Sequence, residues 1–191
     1  MTDMPTADVE VLYKGWARWL RALIRLPSGE SYHRELEDHG DGVAVLPYDP
    51  VRRLAVVVRQ LRAGPLVSGA DDPFLTEAPA GVIDPGEDAA AAGRREVEEE
   101  AGIVLGALEP AGAPWSMPGL STERIHLFLA EYGAGDRVGP GGGLACEHEN
   151  IEVTELALDD LAAQADAGAI RDMKSLALIQ TLRLRRPQLF S

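Results

Sequence analysis

The sequence predicts an α+β fold, a mixed β-sheet flanked by α-helices and preceded by an antiparallel β arm, on three observations. The first 60 residues read almost wholly as strands, convincing helical patterns begin only near residue 88, and the two never alternate as a doubly wound parallel sheet requires. At 191 residues with 46% hydrophobic content, the chain is long enough for one well-cored domain plus a small appendage. The expected division is an arm over residues 1–40 and a main domain over 41–191.

Taken in order, strands are expected over 9–13, 16–26, 32–36, 42–48 and 54–59, punctuated by turn signals such as Pro27-Ser28-Gly29 and Asp49-Pro50. The continuously apolar Leu54-Ala55-Val56-Val57-Val58 predicts a strand covered on both faces. A loop follows over 61–72, then a strand over 74–80. Residues 88–101 form the clearest helix: acids open it, four alanines run through it and Gly102 ends it. A strand over 124–132, a glycine-rich loop over 133–143, a short strand over 152–156 and helices over 159–167 and 172–184 complete the chain.

Charge narrows the classes of function. Thirty-one acidic residues against 18 Lys and Arg give a formal charge of −13, which disfavours nonspecific attraction to nucleic acid or an anionic membrane. Neither partner is expected. No apolar run approaches the roughly 18 residues of a membrane span, and residues 1–10 carry acids without an apolar stretch. Cys146 is the sole cysteine, which excludes an intrachain disulfide and a cysteine-cluster metal site and fits a reducing compartment. A soluble, cytoplasmic protein is expected.

The negative excess is local. Residues 84–100 hold seven acids against Arg94 and Arg95, a local −5, and residues 147–160 hold six acids with no Lys or Arg, a local −6. On the 88–101 helix, Glu96, Glu99 and Glu100 stand at i, i+3 and i+4, on one face within about 100° of arc. Each like-charged pair at that spacing costs about 0.2–0.5 kcal/mol, and the helix dipole disfavours anions at a C-terminal end. Arg94 and Arg95 precede the acids, the order opposite to the favourable one. A divalent cation would offset both penalties, since carboxylates are hard oxygen donors suited to Mg2+. The plain alternative is a solvated acidic face.

The surrounding pattern argues against that alternative. Gly81, five residues, Glu87, seven residues, then Arg95-Glu96-Val97-Glu98-Glu99-Glu100-Ala101-Gly102-Ile103 matches every specified position of the Nudix box, G-x5-E-x7-R-E-U-x-E-E-x-G-U with U aliphatic. The chain therefore resembles the Nudix hydrolases, which use divalent metals to cleave nucleoside diphosphates linked to another moiety. The resemblance implies a mixed sheet sandwiched by helices (α/β/α), with the Nudix domain over 41–191. Gly81 and Gly86 would permit the tight loop before the helix, Gly102 would end the helix, and Glu87 would pair with Arg95 to hold loop against helix.

Outside the box the resemblance runs from about residue 32 to 184. Glu77-Ala78-Pro79-Ala80-Gly81 resembles the entry segment of nucleoside-diphosphate-sugar pyrophosphatases, and Ser116-Met117-Pro118-Gly119 resembles a segment common to the ADP-ribose and GDP-mannose branches. Residues 122–128 with Glu131-Tyr132, Gly141-Gly142-Gly143 with residues 147–153, and Ile170-Arg171-Asp172-Met173-Lys174 lean toward the GDP-mannose branch. Residues 46–51 and 143–149 resemble the ADP-ribose branch equally.

The resemblance implies Mg2+, with Mn2+ as a substitute, held by the Ala80 carbonyl, Glu96, Glu100 and Glu149. Glu100, Glu147 and Glu149 would be catalytic, Glu147 as general base. Residues 133–143 would be a mobile loop carrying the last two over substrate. Trp16, His33, Arg34, Glu35, Arg62, Glu123 and Lys174 would contact a nucleoside diphosphate sugar, Arg62 as a charged fork on phosphate and Trp16 by stacking. In the family, arms like residues 1–40 cross to a second subunit, so a homodimer is expected. GDP-mannose to GMP and mannose 1-phosphate leads, followed by ADP-ribose to AMP and ribose 5-phosphate, with a non-catalytic nucleotide-sugar sensor as the rival of another class. Loss of box carboxylates would mark the sensor, and all of them are present. P-loop, H-E-x-x-H and G-x-S-x-G motifs are absent, and the four histidines are scattered.

Overall fold

The computed structural model describes residues 4–144 and 150–190, in two compact units. One comprises residues 4–41 with Pro114–Arg124. Its strands β1 (Thr6–Lys14), β2 (Arg18–Arg25) and β3 (Ser31–Asp38) form an antiparallel sheet in sequence order. The β2–β3 turn passes through Gly29 at φ 89°, a left-handed backbone that glycine adopts without strain. Of the three strands only Leu20 and Ala22, on central β2, are buried, while every residue of β1 is exposed. The 114–124 segment joins β3 through the Glu37 N–H to the Leu120 carbonyl (2.7 Å) and the Thr122 N–H to the Glu37 carbonyl (3.1 Å).

The second unit is built on a seven-stranded mixed sheet. β4 (Gly42–Asp49) lies at its centre, antiparallel to β5 (Leu54–Leu61) and parallel to β9 (Ile125–Glu131). β10 (Glu152–Ala157) extends the sheet beyond β5, and β8 (Glu109–Gly112) extends it beyond β9. β6 (Phe74–Glu77) pairs with β5, and β7 (Ala80–Val82) with β4. All eight residues of β4 are buried, and its period of two sends them to opposite faces. Ala44, Leu46 and Tyr48 pack with Ala55 and Val57 against α3 (Leu158–Asp166) and α4 (Met173–Arg185). Val43 and Val45 pack with Val56 against Ala92, Val97 and Ala101 of α2 (Ala89–Ala101). The sheet is thus sandwiched by helices, as expected. Each fully buried Val or Leu contributes roughly 1.5–3 kcal/mol relative to exposure.

The expected single strand over 74–80 divides into β6 and β7 at Ala78-Pro79. Pro79 has no N–H to give a ladder, and its carbonyl accepts from the Val45 N–H (3.0 Å). The expected loop over 61–72 contains a short helix, α1 (Ala63–Val67). β8 was not expected, because Pro110 and Gly112 disguise a strand. No helix among the described residues is long and apolar enough to cross a membrane.

Candidate active site

Helix α2 is set in place at both ends. Asp88 caps its start, accepting from the Ala90 and Ala91 N–H groups (3.0 and 3.2 Å). Gly102 ends it at φ 67°, its N–H donating to the Glu98 carbonyl (2.9 Å). A side chain on Gly93 would press on Val45 (Cγ2 2.8 Å away), so glycine lets this helix lie close on the sheet.

The glycine-rich loop is fastened to the same helix end, and residues 134–136 form a 3-10 turn. Val138 and Gly139 donate to the Gly102 carbonyl (2.8 and 3.2 Å), Gly142 to that of Glu100 (2.9 Å) and Gly143 to that of Glu99 (3.2 Å). These donors satisfy carbonyls that a helix end leaves without partners. Gly141 has φ 71°, and a Cβ there would collide with the Glu100 carbonyl and the Ala101 backbone. The glycine-rich loop expected over 133–143 is thus hydrogen-bonded to α2 through its last residues.

Glu96 and Glu100, one turn apart, reach the same stretch of strand. Glu100 is 1% exposed; its Oε2 accepts from the Ala80 N–H (3.0 Å) and its Oε1 from Gln60 Nε2 (3.5 Å). The Glu96 carboxylate packs on Gly81 so closely that a Cβ there would overlap its carboxyl carbon and both oxygens. Ala80 and Gly81 are held in register by pairing with Ala44 and Val43 of β4. Glu98 is exposed and Glu99 half-buried.

Arg95 ties this face together. Its Nε and Nη2 donate to Glu87 (3.2 and 3.0 Å), its Nη1 to Glu96 and Glu99 (2.6 and 3.3 Å), and its Nη2 also to the Val82 carbonyl (3.1 Å). Arg95 holds the Glu87 carboxyl below its ordinary pKa. The expected Glu87–Arg95 pair is therefore present, and although Arg95 precedes the acids, the less favourable order along a helix, it bonds two of their carboxylates. Arg94 instead donates to the Ala90 and Gly106 carbonyls.

Arg62 and Lys174, far apart in sequence, meet on Glu77. Arg62 grips it with two bonds (Nε 2.8 Å, Nη2 2.7 Å), and Lys174 Nζ donates to the same carboxylate (2.6 Å) and to Asp172 (2.9 Å). Burial pushes the Glu77 carboxyl up, but the two cations outweigh it and leave the pKa below the ordinary value.

The remaining expected contacts belong to the other unit. Trp16, 81% exposed, stacks on His39 with ring centroids 4.9 Å apart, and His39 Nε2 stands 3.3 Å from Glu123. His39 Nδ1 also meets Glu37. Burial lowers the His39 pKa, and the two carboxylates raise it further, so it lies above the ordinary value. On β3, the Arg34 guanidinium lies over the Tyr32 ring (4.5 Å) and its Nη1 bonds the His33 carbonyl (3.0 Å), while Glu35 accepts from Trp19 Nε1 (3.3 Å). Glu147 and Glu149 lie outside the described residues. Glu77, Gln60 and His39 were missed as site residues; a charged side chain between the apolar runs of 74–80 was the available signal for Glu77.

Two carboxylates on successive turns facing one backbone segment form a hard-oxygen donor set that suits a divalent cation. Among the described residues no three His, Cys, Asp or Glu side chains form a metal-holding group.

A family model described as the NUDIX domain matches residues 38–177. The chain is 40% identical over 154 residues to a GDP-mannose pyrophosphatase of Cronobacter sakazakii, covering 81% of this chain and 79% of that protein. It is 37% identical over 153 residues to a GDP-mannose pyrophosphatase of Salmonella arizonae, covering 80% and 78%. Among solved structures, a crystal structure of an ADP compounds hydrolase superposes with a TM-score of 0.77 at 16% identity, over 98% of this chain and 97% of that one. At that identity the likeness bears on the fold alone.

Proposed function

The chain belongs to the Nudix family and is a Nudix-type hydrolase, and on that premise we propose that it splits the pyrophosphate bond of GDP-mannose to GMP and mannose 1-phosphate. The observation that carries the chemistry is the convergence of Glu96 and Glu100 on Ala80 and Gly81. The choice of substrate draws on relatives named GDP-mannose pyrophosphatases that match about four-fifths of the chain.

Glu96, Glu100, the Ala80 carbonyl and Glu149 would hold Mg2+, for which Mn2+ would substitute. When bound, the ion supplies Lewis acidity that lowers the pKa of a water and offsets charge on the departing phosphate. The chain's own part is to keep the carboxylates aimed: the Ala80 N–H and Gln60 fix Glu100, and Arg95 and the bare Cα of Gly81 fix Glu96. Glu147 takes the proton of the attacking water. In support, Gly143 donates to the Glu99 carbonyl in the last turn of α2, and Ile151 donates to the Gly142 carbonyl (3.4 Å). Arg62 and Lys174 meet the anionic diphosphate, and Trp16, His33, Arg34, Glu35 and Glu123 the nucleoside and sugar.

The protein works as a cytoplasmic homodimer. The exposed β1, with Val9, Val11 and Tyr13 each more than half exposed, supports pairing with a second copy, and the lone cysteine fits a reducing compartment.

The test is incubation with Mg2+ and, separately, GDP-mannose, ADP-ribose and other sugar nucleotides, with the products identified by mass. GMP and mannose 1-phosphate are expected. Binding without turnover of any of them would convert the enzyme into a sensor, and a fully active monomer in light scattering would remove the dimer.

A further inference from the structure

We infer that buried Glu77 is a positioning residue that orients the Arg62 guanidinium toward the substrate's diphosphate, an inference that rests on the assignment of Arg62 to substrate binding made above. The ion pair is closed on its anionic side and open on its cationic side: the Glu77 side chain is 1% exposed and that of Arg62 37%. Glu77 takes up the Nε and Nη2 donors of the planar fork, leaving Nη1 with no hydrogen-bond partner among the described residues. A guanidinium gripped along one edge cannot rotate, so its other edge is presented in one direction, ready for a phosphate oxygen.

Glu77 is itself immobilised. It is the last residue of β6, opposite Val58, and the N–H of Ala78 donates to Ser175 Oγ (2.7 Å) on α4. Ser175 in turn bonds Asp172, the N-cap of α4, and Asp172 also receives Lys174. Two residues after Ala78 comes Ala80, whose N–H holds Glu100. One short stretch thus fixes the phosphate-facing arginine and the carboxylate end of α2. Stability alone is a weak reason for such an ion cluster, since buried pairs contribute little net against well-packed apolar replacements.

The experiment uses GDP, which carries the diphosphate without a sugar ester to split. GDP is titrated calorimetrically in Mg2+ into the parent, Glu77→Gln, Arg62→Ala and the double variant, and KM and kcat for GDP-mannose are measured on all four. Glu77→Gln is expected to weaken GDP binding and raise KM about tenfold, as for loss of a charge-assisted contact, with kcat changed less than about threefold. In the Arg62→Ala background the same substitution should cost clearly less than in the parent, because it has no guanidinium left to orient and only the hold on Lys174 to lose. GDP affinity within about twofold of the parent, or an undiminished effect in the Arg62→Ala background, overturns the proposal. If Glu77→Gln does not fold, Arg62→Lys decides: it keeps the charge without the two-bond grip, so parental affinity for GDP overturns the proposal and a tenfold loss supports it. Glu77-dependent GDP binding without turnover of any sugar nucleotide refutes the functional assignment and leaves this one standing. A parent that turns over GDP-mannose but whose affinity is indifferent to Glu77 does the reverse.

Discussion

Replacing Gly81 by alanine separates the carboxylate geometry from the stability of the fold. The φ of Gly81 lies outside the left-handed region, so alanine meets no backbone penalty. What the new methyl meets is the end of a flexible side chain, the Glu96 carboxyl group, at a separation no real contact allows. Glu96 must withdraw by about 1 Å, a displacement that in a catalytic constellation lowers turnover about 100-fold. The fold loses little: the Glu96–Arg95 contact weakens, and a pair on a partly exposed face contributes about 0–1 kcal/mol. For a chain of this size that is a fall in Tm of about 2–4 °C. Gly86→Ala provides the converse control, because Gly86 has φ 86° with nothing within 4 Å of an added Cβ. It should lose about 1–2 kcal/mol through backbone strain and leave Glu96 where it is. Steady-state hydrolysis of GDP-mannose and calorimetric Tm on both variants check the expectation. A fully active Gly81→Ala, or one inactivated only in proportion to a large fall in Tm, would falsify the placement of Glu96 at the reacting centre.

Three further outcomes are expected. Glu100→Gln should lower turnover by more than about 100-fold, beyond the range of an outer-shell partner, with Tm nearly unchanged because the side chain keeps its shape; retained activity would remove α2 from the chemistry. Dialysis against EDTA should abolish turnover and Mg2+ restore it, and hydrolysis that survives chelation contradicts the role given to Glu96 and Glu100. The His39 ring, placed between Glu37 and Glu123, should titrate in NMR with a midpoint above its ordinary 6.5 and shift downward in Glu37→Gln. Since its folded pKa is raised, the stability it contributes is complete below about pH 6.5 and is lost as pH rises through the folded value; a midpoint at or below 6.5 is the contrary result.

Much of the fold was legible because its signals are local. The apolar run at 54–58, the strand expected over 42–48 and the Asp88-to-Gly102 helix signature need no knowledge of neighbours, and each matches a strand or helix of the structure. What escaped was decided by tertiary context. β8 exists because β9 offers an edge to Pro110 and Gly112, not because those residues favour strands. The break between β6 and β7 was signalled by Pro79, but its purpose, turning Ala80 toward Glu100, depends on a contact 20 residues away. In the site, the box residues could be named from spacing, whereas Glu77 and His39 owe their surroundings to partners brought from Arg62, Lys174 and Glu123 by folding.

The electrostatics of α2 change why a cation is expected there. From sequence, three carboxylates at the unfavourable end of a helix call for an external positive charge. In the structure, Arg95 lies against Glu96 and Glu99, and the loop at 138–143 sets four N–H groups on the carbonyls of Glu99, Glu100 and Gly102. Repulsion is therefore relieved from within the chain, and the helix does not require a metal in order to form. Direction now carries the inference. A merely solvated acidic face would turn its carboxylates outward, as Glu98 does; Glu96 and Glu100 turn inward onto one strand segment, and Glu100 is buried there. Placing a carboxylate in such a position costs several kcal/mol of desolvation unless it is hydrogen-bonded or meets a cation. A backbone N–H at 3.0 Å and an amide at 3.5 Å hold the Glu100 carboxylate in that position, on the segment that carries Ala80. Mg2+ should accordingly raise Tm in the parent and do so less in Glu100→Gln, an effect that requires no substrate and no turnover.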